Sequence, residues 1–366
     1  MPGKAGHDRL LRRSVELILE QQDRGGAYNA SPSVPAYRMS WLRDGAFIAD
    51  AMSRTGERAS AEAYFRWVAR VVEARAGHVQ GLIARHRAGE DVGRDEHLHA
   101  RYTRDGREGR EPWSNHQLDG WGMWLWAVGG HVARHGWDPA PVGAELELVT
   151  RYVAEFWSEP CYDWWEERWG HHVATLASAY GGLQAAAGLE ALSAAARAVA
   201  GQAAADVHET ILRDGVDGGR LVGRFHDPRV DASLVACATP FRVLDPVDPV
   251  MDATVRALEA EIAHGGVHRY PGDSYYGGGE WLLLAALLGW WAAQAGRYDL
   301  AREQLEWVAR HAVDGGALPE QVSHHLLVPD AYGEWLARWG PPPVPLLWSH
   351  AWFLTLALEL GYEVPA

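Results

Sequence analysis

Two kinds of helical stretch alternate along the chain. In the first kind, charged residues fall on one stripe: Glu62, Arg66, Arg70 and Glu73, then Glu147, Arg151 and Glu155, then Asp252, Arg256 and Glu259, then Arg302, Glu306 and Arg310. Such helices keep one face in water. In the second kind no stripe is polar, as from Trp121 to Trp126, Val173 to Ala187, Trp281 to Trp291 and Leu346 to Leu358. Alternating β-branched runs are scarce. The periodicity predicts twelve helices, beginning near residues 8, 43, 59, 117, 141, 171, 189, 230, 250, 279, 298 and 344, with clusters of Gly, Pro and Asp as stops and caps between them.

A helix that is apolar all round has to be enclosed. Six of them alternating with six one-sided helices predict an inner ring inside an outer ring, an all-α (α/α)6 barrel built by residues 1–366 as a single domain. Every connection that enters an inner helix then opens at the same end of the barrel. Those connections are the unusual ones: Tyr37 to Asp44, Trp113 to Asp119, Asp163 to Arg168, His268 to Trp281 and Leu318 to Gln321. The opposite ones, such as Thr55-Gly56-Glu57 and Ala295-Gly296-Arg297-Tyr298, are short and plain. One end therefore gathers carboxylates, arginines and aromatic rings, as a polar sugar pocket requires. The segment from His78 to His116 is long, charged and poorly periodic, and is expected to form a rim or lid with a short hairpin around Leu98 to Gly106.

Composition narrows the classes of function. A chain of 366 residues, 48% of them apolar, can bury a large core, and a formal charge of −14 argues against nucleic acid or an anionic membrane surface as partner. Cys161 and Cys237 read as buried thiols, being too few for a disulfide framework. No apolar stretch precedes the amphipathic run from Leu10 to Leu19, so neither a signal peptide nor a membrane anchor is expected, and a cytoplasmic enzyme follows. The 18 His include neighbouring pairs but no metal-ligand spacing, so no metal and no cofactor are expected. Gly277-Gly278-Gly279 follow no strand, which favours a turn letting backbone approach a sugar over a phosphate cradle. The 19 Trp exceed what a core of this size needs, and Trp also stacks on the apolar faces of sugar rings.

Cutting a glycosidic bond takes one carboxyl that donates a proton to the leaving oxygen and another that is ionised. Glu166 lies among Trp164, Trp165 and Glu167, where desolvation and like charge would both raise its pKa, as suits a general acid. Glu320, in a loop leading to the last inner helix, would be carried across the pocket from it, as suits a general base.

In these residues the chain resembles glycoside hydrolase family 15, the glucoamylases, glucodextranases and related α-glucosidases, from about Tyr37 to Trp352. Tyr37 with Trp41-Leu42-Arg43-Asp44 resembles the family's first motif, which implies that Arg43 and Asp44 bind the terminal glucose and that Tyr37 helps place the catalytic water. Trp113 and Asp119 fall at the family's spacing, and Trp165-Glu166-Glu167-Arg168 is similar to the segment whose first Glu is the general acid. Gly266 to Tyr270 with Tyr275-Tyr276 resembles the sugar-binding arginine loop, which implies roles for Arg269 and Tyr270. Glu320-Gln321 matches the general-base position, and the run around Trp348 the closing motif.

Two departures stand out. The chain has no room for the β-sandwich domain of many bacterial members, nor for a starch-binding module, so short substrates are expected. Glu280 stands where the family often has Pro and is expected to add a carboxylate near the pocket. The resemblance implies an inverting, exo-acting α-glucosidase that releases β-glucose from short gluco-oligosaccharides, α-1,6-linked as in isomaltose or α-1,4-linked. The alternatives are a trehalase of the same family and a noncatalytic glucan-sensing barrel.

Overall fold

The computed structural model describes residues 4–365. Among them thirteen α-helices follow one another: α1 (Lys4–Gln21), α2 (Leu42–Thr55), α3 (Arg58–Glu73), α4 (Ala76–Arg87), α5 (Asp119–His135), α6 (Gly143–Phe156), α7 (Val173–Gly188), α8 (Ala194–Asp214), α9 (Pro249–Ile262), α10 (Leu282–Gln294), α11 (Tyr298–Arg310), α12 (Pro329–Trp339) and α13 (Leu347–Glu359). Burial sorts them into the two expected kinds. On α10 every residue from Leu282 to Ala293 is buried, whereas on α11 burial is confined to Ala301, Gln304, Leu305, Trp307 and Val308.

The inner elements close a ring. Helix α2 packs on α5, α5 on α7, α7 and α10 on the segment between them, α10 on α13, and α13 back on α2. Helices α1, α3, α6, α8, α9 and α11 lie outside. The arrangement is an (α/α)6 barrel with one departure. At the fourth inner position the helix expected near residue 230 is a 3₁₀ turn, Ala232–Cys237, which starts where Asp231 accepts a hydrogen bond from the Ser233 N–H at 2.9 Å. Pro240 lies too soon after it for a helix to develop, because proline has no N–H to donate and clashes with the preceding turn. Close inner packing uses glycine where backbones touch: a Cβ on Gly182 would stand 2.2 Å from the carbonyl oxygen of Gly122 on α5.

Helices α4 and α12 lie outside the predicted twelve. The segment 78–116 is more ordered than its charge suggested, since α4 occupies its first part and packs on α6. Its expected hairpin is only partly local. A turn at Thr103–Arg107 is present, but β2 (Arg101–Tyr102) pairs with β1 (Ser40–Trp41), which leads into α2. Three more antiparallel pairs complete the strands: β3 (Cys161–Tyr162) with β4 (Trp169–Gly170), β5 (Val216–Asp217) with β6 (Arg220–Leu221), and β7 (Glu280–Trp281) with β8 (Gln321–Val322). Both cysteines are buried free thiols. Among the described residues no helix is long and apolar enough to cross a membrane.

Aromatic rings fill the barrel axis. Phe47 of α2 lies 4.7 Å from Trp352, 5.4 Å from Trp348, 5.7 Å from Trp126, 6.1 Å from Trp164 and 6.2 Å from Phe241, measured between ring centroids. These rings come from α2, α5, α13 and two connecting loops, so a single side chain ties the ring together. Phe47→Ala is expected to cost about 3–5 kcal/mol, by lost transfer free energy and the cavity left behind. Thermal unfolding should show a clear fall in Tm, and an unchanged Tm would mean that the axis is not close-packed.

Candidate active site

At the end where the inner helices are entered lies a cavity of about 340 Å³, near the lower end of small-molecule pockets. Its wall includes Tyr37, Trp41, Arg43, Asp44, Trp113, Trp165, Glu166, Glu167, Arg269, Glu320 and Trp348. Of the residues to which the sequence assigned catalysis or sugar binding, Asp119 and Tyr270 are not on that wall. They stand behind it. Asp119 accepts from Arg43 Nη1 at 2.8 Å, and the Tyr270 hydroxyl donates to Glu167.

Glu166 sits on the β3–β4 loop at φ 66°, a left-handed conformation that a side chain adopts only under constraint. Asp163 supplies the constraint: its Oδ1 accepts the backbone N–H groups of Glu167 at 2.8 Å and Arg168 at 3.1 Å, and its carbonyl accepts that of Glu166. Asp231, which also starts the 3₁₀ turn, accepts Trp165 Nε1 at 2.9 Å and so ties the loop to the fourth inner position. The Glu166 carboxylate is met by donors on both oxygens. Trp41 Nε1 donates to Oε1 at 2.7 Å, Gln117 Nε2 at 3.0 Å and Arg43 Nη2 at 3.3 Å, while Trp113 Nε1 donates to Oε2 at 2.6 Å. The side chain is 14% exposed, so the group is partly desolvated as expected, but the groups that meet its carboxylate come from elsewhere in the chain. Trp164, one of the expected neighbours, points instead to the aromatic axis.

Glu320 has the contrasting setting. It is buried at the start of the β8 segment, its backbone N–H donating to Pro343 and its carbonyl accepting from Leu282. Tyr37 donates to its Oε1 at 2.9 Å and in turn lies 2.7 Å from the Tyr275 hydroxyl, whereas Oε2 is buried with no partner. Burial pushes its pKa up to about 7, against the lowering effects of Tyr37 and of the Arg269 charge. Burial likewise raises Asp44 to about 7, with Arg43 opposing.

The cationic side chains are anchored from behind. Arg269 forms a two-point pair with Asp273 at 2.6 and 2.8 Å, donates to Glu167 at 2.9 Å, and lies among the rings of Trp165, Tyr275 and Trp281. Glu280 corrects an expectation. It lies beneath the surface, not at the pocket: its Oε1 accepts from the Gly266 N–H at 2.9 Å and lies 3.1 Å from His325, pinning the arginine loop. The triple glycine is also reassigned. Gly277 and Gly278, at φ 74° and 70°, receive the chain leading into α12, with Val328 and Leu327 donating to their carbonyls.

Helix α12 supplies what the sequence reading missed. Trp335, Arg338 and Trp339 project from it onto the outer part of the cavity, and Trp335 packs 4.8 Å from Tyr275. Pro329 and Asp330 are a helix-start signal, but the short exposed helix has no enclosed face to announce it. Gln117 was also passed over, within a segment otherwise recognised.

The sequence pattern of Glycosyl hydrolases family 15 matches residues 5–313, which includes Glu166 and stops short of Glu320. The chain is 45% identical over 361 residues to an isomaltose glucohydrolase from Kribbella flavida, covering 98% of this chain and 94% of that protein. A solved wild-type glycosidase superposes with a TM-score of 0.95 at 45% identity, over 98% of this chain and 97% of that one. The glucoamylase of Saccharomycopsis fibuligera, at 15% identity, shares the fold with a TM-score of 0.71 over 96% of this chain and 95% of its own.

The raised pKa of Glu320 has a consequence for stability. A carboxyl whose folded pKa lies above its ordinary 4.5 is neutral at no cost below that value, and stability is lost as pH rises from there through about 7. Above pH 7 the loss from this group is about 3 kcal/mol. Glu320→Gln is therefore expected to raise Tm by several degrees at pH 8 and to leave it nearly unchanged at pH 4.5. Equal Tm differences at both pH values would contradict a buried, charge-strained Glu320.

Proposed function

The chain belongs to glycoside hydrolase family 15, and on that premise we propose that it releases glucose from short α-gluco-oligosaccharides, with isomaltose as the leading substrate. It is an exo-acting, inverting α-glucoside hydrolase whose substrate is a small carbohydrate. The observation that carries the reading is the small cavity, about 340 Å³, walled by Trp348, the buried ion pairs of Arg43 and Arg269, and the α12 residues Trp335, Arg338 and Trp339. A cavity of that volume suits a short saccharide better than a long chain. The likeness to an isomaltose glucohydrolase at 45% identity supports the α-1,6 linkage over a trehalase activity. The presence of both carboxyls on one cavity favours an enzyme over a noncatalytic sugar sensor.

The residue roles proposed are those the family resemblance implies, and the two settings are compatible with them. Glu166 protonates the glycosidic oxygen as the bond breaks, and the donors from Trp41, Trp113, Gln117 and Arg43 meet the negative charge that develops on it. Glu320 takes a proton from a water held near its unpartnered Oε2, and that water attacks C1 from the face opposite the leaving group. The anomeric centre inverts. Arg43, Asp44 and Arg269 hold the terminal glucose, and Tyr37 fixes the orientation of the base.

Three measurements test this reading. Proton NMR during hydrolysis should show β-glucose first, and initial α-glucose would exclude the mechanism. Glu166→Ala and Glu320→Ala should each lower kcat on a disaccharide by about a hundredfold or more. α-Glucosyl fluoride, whose leaving group needs little acid help, should partly rescue the first variant and not the second; equal rescue would reverse the assignment. Across matched α-1,4 and α-1,6 oligomers, kcat/KM should be highest for the shortest members, isomaltose above maltose. A steady rise with chain length would refute the preference for short substrates.

A further inference from the structure

Arg101 is an anomaly in the fold. It is 2% exposed, its Nε is buried with no partner, and its nearest carboxylate, on the largely exposed Glu111, is 4.0 Å away. Burying a guanidinium without a counter-ion in direct contact is costly, and desolvation lowers its pKa, with the charges of Glu166 and Glu111 opposing. What it touches instead are two rings. Its guanidinium carbon lies 3.7 Å from the centroid of Trp113 and 5.2 Å from that of Trp41. The two indoles stand edge to face at 5.9 Å and 71°. These are the two tryptophans whose N–H groups donate to the two oxygens of Glu166, at 2.6 and 2.7 Å.

Backbone placement explains how one cation reaches both rings. Arg101 pairs directly with Trp41 across the β1–β2 ladder, and the chain from β2 returns toward Trp113 through the turn at Thr103–Arg107. A cation above an indole face is drawn to its electron-rich π cloud and leaves the N–H edge more positive, so the edge donates more strongly. It also holds the ring plane, and with it the direction of the N–H.

We propose that Arg101 is a positioning residue for the general acid: by lying over the faces of Trp41 and Trp113, it aims and strengthens the two indole donors that receive the negative charge left on Glu166 when its proton passes to the leaving oxygen. The proposal rests on the assignment of Glu166 as the acid. It accounts for a buried cation that a purely structural role would disfavour. It also predicts a specific signature, since only reactions that draw a proton from Glu166 benefit from the clamp.

The test compares Arg101→Met and Arg101→Lys with the wild type on two substrates: the α-linked glucose disaccharide that the wild type cuts best, and α-glucosyl fluoride. For Arg101→Met, kcat on the disaccharide is expected to fall about tenfold or more, with kcat on the fluoride changed less than about twofold. Arg101→Lys keeps the charge and should recover part of the disaccharide rate, and it serves alone if the Met variant does not fold, its loss again confined to the disaccharide. Equal losses on both substrates, or none on the disaccharide, would reduce Arg101 to a support of the β1–β2 pair and overturn the proposal. Choosing the disaccharide by wild-type rate separates the two readings: a preference for another linkage faults the isomaltose assignment and leaves this comparison intact. Full rescue of Glu320→Ala by the fluoride would fault the acid assignment itself.

Discussion

The constraint on which the rest depends is that a helix with no polar face cannot meet water. Five of the six inner positions carry such helices, and the aromatic side chains along the axis, centred on Phe47, fill the space that the ring would otherwise leave open. Polar chemistry is thereby excluded from the barrel's length and confined to its end. Trp348 belongs to both regions, stacking on Phe47 below and forming the cavity floor above. The pocket is thus as deep as the aromatic column allows, and its floor is as rigid as the core beneath it.

At that end, charge is handled asymmetrically. Arg43 and Arg269 are each neutralised from behind, by Asp119 and Asp273, so they reach the cavity at fixed positions. Glu166 is surrounded by donors, whereas Glu320 is desolvated and raised to about 7. With the roles proposed for the two carboxyls, this distribution suits their tasks in an unexpected order: the donors meet the carboxylate that appears as the acid gives up its proton, and desolvation raises the base's affinity for the proton of water. A base of higher proton affinity is the stronger base.

How much of this the sequence revealed depends on which physical signal carried each feature. The ring architecture was legible because enclosure writes itself as missing polar stripes, as in α10. The cavity residues were legible because they cluster at connections of one kind, and Tyr37, Arg43, Glu166 and Glu320 do meet there. What failed were inferences of environment from neighbours in the chain. Trp164 and Trp165 flank Glu166, yet the groups that meet its carboxylate come from residues 41, 43, 113 and 117. Glu280 looked like a pocket carboxylate for the same reason, and it is the backbone of Gly266 that claims it. The helix near residue 230 failed through Pro240, whose effect on so short a stretch outweighed the apolar periodicity.

Helix α12 shows why specificity is harder to read than chemistry. It has no buried residue and is attached mainly through the turn at Tyr275–Gly277, so neither packing nor periodicity marks it as part of the site. Its contact with Tyr275 nevertheless links it to Glu320, because Tyr275 meets Tyr37, which donates to Glu320. The outer wall of the cavity and the proposed base therefore share one aromatic residue. The wall that carries both carboxyls rests on the barrel core and the outer wall on an external helix, so the reach of the cavity can change with α12 while the barrel stays as it is.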